Sequence, residues 1–401
     1  MLLDQKKILF VNSLCSSGST GNIVYELYTR AKENGYKCAV AYGRGDSGRI
    51  PKDDSYKIGT PLSLYRTVLL ARFFDIEGFS LVAQTKRFLS FVDSFSPDIV
   101  HLHNVHGYFL NLELLMKYFS SHKEIKVVWT LHDMWTMTGR CAIVDEGVCD
   151  KWIEGCNHCS RKDIYPKTAL LDKCEKNYIK KKKLISSVEN MTLVTPSEWL
   201  MSNVKRSYLK DKNKKVINNG IDLTLFKPTV SDLRKKYSLE GKTVVLGVSF
   251  KWVDEKGLSD FIRLRGLLPE DFSIVLIGVS KKVKEILPDG IVAIERTESR
   301  EELAAWYTAS DYFLNLTYYD TFPTVNLEAL ACGTPVITYK TGGSPESLTD
   351  KCGLSSEKGN IDLIAKILKE KPVFSSSDCI ERSKLYDKNN AVKGYLELYG
   401  C

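Results

Sequence analysis

Short apolar runs recur along the chain, each separated from the next by a longer amphipathic stretch. Ile8–Val11 is followed by Ile23–Glu33, whose apolar positions keep helical spacing, and then by Cys38–Tyr42. Ile99–Leu102, Val127–Leu131 and Thr192–Thr195 continue the series. A second series begins after a polar gap, with Val244–Val248, Ile274–Ile277, Tyr312–Leu316 and Val336–Tyr339. Unbroken apolar runs between helical patterns predict strands buried on both faces, hence parallel sheets. Two such series predict two doubly wound α/β domains. The polar stretch Asp211–Lys215, the turn signal at Asn219–Asp222 and Pro228 place the boundary between Lys210 and Lys242.

Length and composition change that picture little. A chain of 401 residues, 43% hydrophobic and 26% charged, is ordinary for two globular domains and excludes a disordered or collagen-like chain. The net charge of +8 suits an acidic small molecule or an anionic membrane surface. It is spread out and accompanies no groove-binding module, so nucleic acid is not an expected partner. The most apolar long stretch, Leu62 to Ala83, is broken by Arg66, Arg72, Asp75 and Glu77, too often for a membrane span. At the N-terminus, Asp4, Lys6 and Lys7 precede the short Ile8–Val11 run, which is no signal-peptide core, so a cytoplasmic protein is expected. Its eleven cysteines are then reduced thiols rather than a disulfide framework.

The stretch from Asp320 to Glu346 carries the most chemistry. A strand ends near Leu316, a loop carries Asp320, and Pro323 suits the first turn of a following helix, where its missing N–H costs nothing. Backbone N–H groups of Phe322, Pro323's neighbours Thr324 and Val325, and the helix dipole behind them make an anion site at the carboxyl edge of a sheet. Asp320 and Glu328 flank it; carboxylates there accept hydrogen bonds from sugar hydroxyls rather than bind phosphate. Gly333-Thr334-Pro335 ends the helix and feeds the next strand.

This string resembles the retaining glycosyltransferases of family 4, of bacterial polysaccharide and O-antigen type, which have the GT-B fold. Their hallmark is a Glu, seven residues, a second Glu, then Ala-Leu-Ala-x-Gly-Thr-Pro-Val and Gly-Gly-x-Pro-Glu. Glu328 matches the second Glu, which the family uses on the nucleotide ribose, and Phe322, Pro323, Thr324 and Val325 match the segment that meets the donor phosphates and sugar. Asp320 stands in the place of the first Glu, one methylene shorter. Lys256 matches the lysine of a Lys-Gly pair that binds the donor diphosphate. The family arginine before it is replaced by Phe250, with Lys251 beside it as a substitute cation without a bidentate fork. Ser16–Asn22, with Gly18 and Gly21, occupies the place of the first glycine-rich loop, where close backbone approach to a phosphate is possible.

Six histidines are present, and two strands end in them. Val128–Leu131 runs into His132-Asp133, and Ile99–Leu102 into His103-Asn104-Val105-His106. Polar groups at the carboxyl end of parallel strands face a ligand crevice. His132 matches the family histidine that contacts the transferred sugar, and the resemblance makes His132, Asp320 and Lys256 the catalytic set. His103, Asn104 and Asp133 are assigned to the acceptor side; for His101 and His106 a core or loop role is at least as good a reading as a site role. A Gly-punctuated insertion follows, with Cys141, Cys149, Cys156 and Cys159, four thiols suited to structural zinc, and Cys174 as a further member.

The expected architecture is therefore α/β, GT-B: two Rossmann-like domains facing a central cleft. Residues 1–215 form the acceptor-side domain with a Cys-rich insertion at 139–174. Residues 216–376 bind the nucleotide-sugar, and 377–401 cross back as a C-terminal helix. The resemblance implies a glycosyltransferase of hexosyltransferase type. It would move a sugar from a UDP- or GDP-sugar to a saccharide or lipid-linked acceptor with retention, in surface polysaccharide biosynthesis, and transfer would need no cofactor. Peripheral contact with the inner membrane through Lys180–Lys183 or Leu62–Phe79 is a further expectation. The rival readings are a nucleotide-sugar epimerase of the same fold, which needs acid/base groups at the sugar C2, and a non-catalytic nucleotide-sugar-binding protein.

Overall fold

The computed structural model describes residues 5–144 and 148–400. Asp4 and Cys401 lie outside these. The chain divides into two compact units, one running up to Ile217 and resuming at Val392, the other spanning Asn218–Ala391.

The first unit is built on a seven-stranded sheet. In chain order its strands are β1 (Lys7–Leu14), β2 (Lys37–Arg44), β3 (Ser55–Lys57), β4 (Ile99–Leu102), β5 (Lys126–Thr130), β6 (Met191–Thr195) and β7 (Asn213–Val216). They pair in the order β3-β2-β1-β4-β5-β6-β7, all in parallel. The second unit has a six-stranded sheet of β8 (Thr243–Val248), β9 (Phe272–Ile277), β10 (Ile291–Ile294), β11 (Tyr312–Asn315), β12 (Val336–Tyr339) and β13 (Gly353–Ser356). Their order is β10-β9-β8-β11-β12-β13, again all parallel.

Central strands are the ones the apolar runs predict. Ile8, Leu9, Phe10 and Val11 are fully buried, as are Val244, Val245 and Leu246. Strands flanked by helices on both faces have no polar side, so alternation disappears from them. The sheet edges differ. β7 overlaps the polar stretch at the expected domain boundary, and its lysines stay half-exposed, as an edge strand tolerates and even favours. β3 is an equally polar edge, and β13, with Gly-Leu-Ser-Ser, carries no strand signal.

Each sheet reverses winding direction once. In the first, β1 neighbours both β2 and β4; in the second, β8 neighbours both β9 and β11. Open α/β sheets leave a crevice outside the carboxyl ends of such strands. The loops after β1 and β4, and those after β8 and β11, are therefore where ligand chemistry is expected.

The domain limits need one correction. The helix Ser376–Lys384, expected to cross back, packs in the second unit against the helix Thr324–Ala331, with Cys379 fully buried. Arg382 fixes it there by donating to the Glu346 and Ser347 carbonyls at 2.6 and 3.0 Å. Only from Val392, within the helix Lys388–Tyr399, does the chain rejoin the first unit. There the hydroxyls of Tyr395 and Tyr399 lie 2.9 Å from Thr130 Oγ1 and 2.6 Å from His101 Nδ1.

Candidate functional site

In the second unit, β8 leads into a loop ending in the single turn Asp254–Lys256, and Gly257 starts the helix Leu258–Leu267. Gly257 has φ 79°, and a Cβ there would stand 2.5 Å from the Leu316 carbonyl oxygen. Glycine thus lets this loop lie against the end of β11, where Tyr318 N–H donates to the Glu255 carbonyl at 3.0 Å. The contact brings Lys256 Nζ to 3.3 Å from both Asp320 Oδ2 and Thr317 Oγ1.

Asp320 is held from the other side. Its carbonyl accepts from Gly343 N–H at 3.2 Å, and a Cβ on Gly342 would sit 1.8 Å from that oxygen. Gly342 therefore lets two loops touch. Asp320 Oδ1 accepts from Phe322 N–H at 3.3 Å. Pro323 stands one position earlier than expected, as the residue capping the helix Thr324–Ala331, and no side chain caps that helix. Its first N–H groups and its dipole are thus available to an anion, with the half-buried Lys256 ammonium nearby.

Glu328 lies one turn further in. Burial pushes its carboxyl up to about 7, against the lowering effect of the Tyr307 hydroxyl, which donates to Oε2 at 3.0 Å. Asn326, between the two carboxylates, is fully buried; it accepts from Asn315 at 2.8 Å and donates to the Ser344 carbonyl at 3.3 Å. It ties the helix to β11 and to the Gly-Gly-Ser-Pro-Glu turn. Sequence reasoning missed Asn326, Thr317 and Tyr307, although Asn326 stands inside the motif that was singled out. The structure does not bring Lys251 to this group. It is exposed at the tip of the β8 loop beside an equally exposed Phe250, and among the described residues its ammonium makes no ion pair or hydrogen bond.

In the first unit the loop after β1 leads into the helix Gly18–Glu33, whose capping residue Ser17 makes no side-chain bond. Gly18 has φ 68°, and a Cβ on Gly21 would approach the Ser16 carbonyl carbon to 3.2 Å. Arg49, which sequence reasoning missed, closes over this loop: it donates to the Ser16 carbonyl at 2.8 Å and to Asn22 Oδ1 at 2.6 Å, above the Tyr25 ring. Asn12 accepts from Asn104 N–H at 3.2 Å and so joins the ends of β1 and β4.

Histidines crowd the ends of β4 and β5. His101 is fully buried between Tyr399 and Thr130, and burial pulls its pKa down to about 3. His103 Nδ1 lies 3.0 Å from His132 Nε2. Burial holds His103 well below its ordinary value and His132 at about 4, so both rings are neutral near pH 7. His103 is 1% exposed, which corrects its assignment to the acceptor side: it stands behind His132 rather than at a surface. His106 Nε2 lies 2.6 Å from Asp133 Oδ2. Burial works against the charged imidazole, but the Asp133 carboxylate overrides it and raises the His106 pKa, while Asp133 itself is held below the usual carboxylate range. Both belong to one ion pair, further stabilised by Trp135 N–H on Asp133 Oδ1 at 2.9 Å.

The insertion brings Cys141, Cys149, Cys156, Cys159 and Cys174 to the wall of one cavity of about 320 Å³. All five are free thiols. Among the described residues, no three His, Cys, Asp or Glu side chains are arranged to hold a metal ion. The sulfurs instead find protein donors: Arg140 reaches Cys159 Sγ at 3.1 Å, and Gly139 N–H reaches Cys156 Sγ at 3.2 Å. The Cys141 and Cys174 thiols beside it, together with the Arg140 guanidinium, hold the Cys159 thiol below the usual thiol range.

Comparison with known proteins bears on the family and the fold. Residues 20–225 match the family described as Glycosyltransferase Family 4, and residues 230–371 match Glycosyl transferases group 1. A protein of Escherichia coli (strain K12), named as a candidate colanic acid biosynthesis glycosyl transferase, WcaC, is 24% identical over 98% of this chain and 99% of its own length. A D-inositol 3-phosphate glycosyltransferase of Mycobacterium sp. (strain JLS) is 29% identical over 34% of each chain. Among solved structures, the sucrose-phosphate synthase of Thermosynechococcus elongatus superposes with a TM-score of 0.72 at 17% identity, covering 98% of both chains. Anabaena HepE in complex with UDP superposes at 0.68 and 16%, covering 98% of this chain and 99% of its own. With the match spanning half of the sequence and both sheets in the order described, the chain belongs to glycosyltransferase family 4 and is a glycosyltransferase of the GT-B fold.

Proposed function

We propose that the enzyme transfers a sugar from a nucleotide diphosphate donor to a saccharide or lipid-linked saccharide acceptor, with retention of anomeric configuration, in surface polysaccharide biosynthesis. One observation carries the reading: the uncapped start of the helix Thr324–Ala331 and the Lys256 ammonium lie together beyond the carboxyl end of β11. Ionising a sugar–phosphate bond builds negative charge on the leaving diphosphate, and fixed dipoles with one cation stabilise that charge without reorganising. The HepE structures with UDP and with UDP-glucose, and the naming of WcaC, support the donor class and the pathway class respectively.

The roles follow from the chemistry of each group. Lys256, paired with Asp320 at 3.3 Å, exchanges that partner for the diphosphate. Asp320 then accepts from a hydroxyl of the donor sugar, and Glu328 from the ribose. His132, neutral at pH 7, offers a hydrogen bond to the transferred sugar. The acceptor hydroxyl attacks from the leaving-group face and passes its proton to the departing phosphate oxygen, so little general-base work falls to the protein. Gly18 and Gly21 allow backbone to approach the substrate in the first unit, where Asn104 and Asp133 remain acceptor-side residues. The test is calorimetric titration with UDP, GDP and their sugars. Nucleotide binding that is lost in Lys256→Ala supports the reading; binding that is indifferent to that change overturns it.

Peripheral membrane contact, which a lipid-linked acceptor would require, belongs to the helix Pro61–Phe74 rather than to Lys180–Lys183. Lys181 is buried, donating to the Trp135 carbonyl at 2.8 Å, and Lys180 pairs with Glu113 at 2.6 Å. The helix 61–74 is inverted: Ser63, Thr67 and Ala71 face inward, while Leu62 and Tyr65 are 68% and 63% exposed, with Leu69 and Phe73 on the same outer face as Arg66 and Arg72. Large apolar side chains flanked by cations, with no acidic residue in the helix, fit an anionic interface. Flotation with phosphatidylglycerol vesicles but not phosphatidylcholine vesicles, lost in Tyr65→Ser/Leu69→Ser, is the expected result; equal flotation of that variant contradicts it.

A further inference from the structure

His103 is a buried imidazole with one nitrogen in use. Nδ1 lies 3.0 Å from His132 Nε2, whereas Nε2 is buried without a hydrogen-bond partner. The ring is wedged in place. On one side it meets His101, centroid to centroid 4.1 Å, and His101 is itself locked at both nitrogens by Tyr399 and Thr130. At its Nδ1 edge it meets His132 nearly coplanar, the ring centroids 5.3 Å apart and the planes only 14° from parallel. Trp129 Nε1–H donates to the His103 carbonyl at 2.9 Å, so the backbone under the ring is fixed as well.

Two neutral imidazoles that share one N–H···N bond share a single hydrogen, and each fixes the tautomer of the other. If His132 were the donor, His103 would carry its own hydrogen on Nε2, where no acceptor exists. A buried N–H with no partner is the rarer and costlier orphan. With the hydrogen on His103 Nδ1, that donor is satisfied and only a lone pair is left at Nε2.

We propose that His103 is a positioning residue for sugar transfer: it donates from Nδ1 to Nε2 of His132 and thereby fixes both the ring orientation of His132 and its Nδ1–H tautomer. The inference rests on the reading of His132 as the group that meets the transferred sugar. His103 touches no substrate; it sets which nitrogen of His132 can donate and in which direction. Groups facing the pair are the neutral His101 behind it and the His106–Asp133 ion pair beside His132.

Two variants separate a positioning role from mere packing. In His103→Asn the amide N–H can take the place of Nδ1–H, whereas His103→Leu fills the space without a donor. The first readout needs no substrate: imidazole ¹⁵N shifts at pH 8 should show His132 as the Nδ1–H tautomer in the native protein and in His103→Asn, and as a mixture in His103→Leu. The second is steady-state transfer. kcat should fall about tenfold or more in His103→Leu with donor KM nearly unchanged, the cost of a misplaced contact group, and recover to within about threefold in His103→Asn. An Nε2–H tautomer of His132 in the native protein overturns the proposal even if the leucine variant fails to fold. So does a leucine variant with native kcat, or an asparagine variant as slow as the leucine one. A native protein with the expected tautomer but no transfer from any nucleotide-sugar would refute the functional reading instead.

Discussion

The two units present the same topological feature with opposite chemistry. In each, a glycine-bearing loop after the first strand leads into a helix that no side chain caps, beside the strand pair where winding reverses. In the first unit nearly every polar group there is bonded to a neighbour within the unit. Arg49 is committed to Ser16 and Asn22, Asn12 to Asn104, His103 to His132 and His106 to Asp133. In the second, the cation is held by a single carboxylate and a hydroxyl, both at 3.3 Å, and a second carboxyl is poised near neutrality. Topology makes both edges crevices. The loosely held charges of the second suit it to an ionic ligand, while the pre-bonded groups of the first suit it to orienting a neutral one.

The sharpest way to break this contrast is Lys256→Ala. Removing a preorganised charge-stabilising group should lower kcat about a hundredfold or more, measured by donor turnover; a near-native rate would mean that another cation serves. Glu328→Ala should weaken nucleotide binding by about 1–3 kcal/mol, the range for hydrogen bonds to a charged group, read by calorimetry. Glu328 also predicts a pH dependence. Its folded pKa of about 7 is raised, so the ionised acceptor is gained as pH rises through that value. Nucleotide affinity should increase up to about tenfold between pH 6 and 8, and Glu328→Gln should abolish the slope. The same raised pKa means that Glu328 favours the folded state below the unfolded carboxyl value and loses that contribution as pH climbs through 7.

The first unit should respond differently, in stability. The His106 contribution is complete below about 6.5 and fades as pH rises through its raised pKa; that of Asp133 is complete above about 3.8 and fades as pH falls through its lowered one. The pair therefore works best near pH 5–6, and His106→Gln should cost about 1 kcal/mol there and less at pH 9, seen in denaturant midpoints. Smallest of all, Arg49→Ala should change nucleotide affinity less than about twofold, since its guanidinium is already spent on Ser16 and Asn22.

Much of this was legible in the sequence, and the exceptions have physical causes. Central strands such as Ile8–Val11 and Val244–Val248 announce themselves because burial on both faces leaves no place for a polar residue. β7 does not, because an edge strand of lysines looks like a linker. The Asp320–Glu346 string was readable because it gathers the close backbone approach at Gly342 and two carboxylates into one short stretch. Asn326 and Tyr307 were not, because their roles depend on what lies across from them in space. The return of the chain at Val392 rather than 377 was hidden for the same reason: Arg382 meets carbonyls far away in sequence. His103 is polar and strand-terminal in the sequence, but only the folded chain shows that it meets another histidine.

A crystal structure with a nucleotide diphosphate tests the central claim most directly. The account predicts the diphosphate beyond β11, with an oxygen about 3 Å from Lys256 Nζ and another within the same reach of a Thr324 or Val325 N–H. A diphosphate seated instead on the Gly18–Gly21 turn under Arg49, with Lys256 still paired to Asp320, would contradict it.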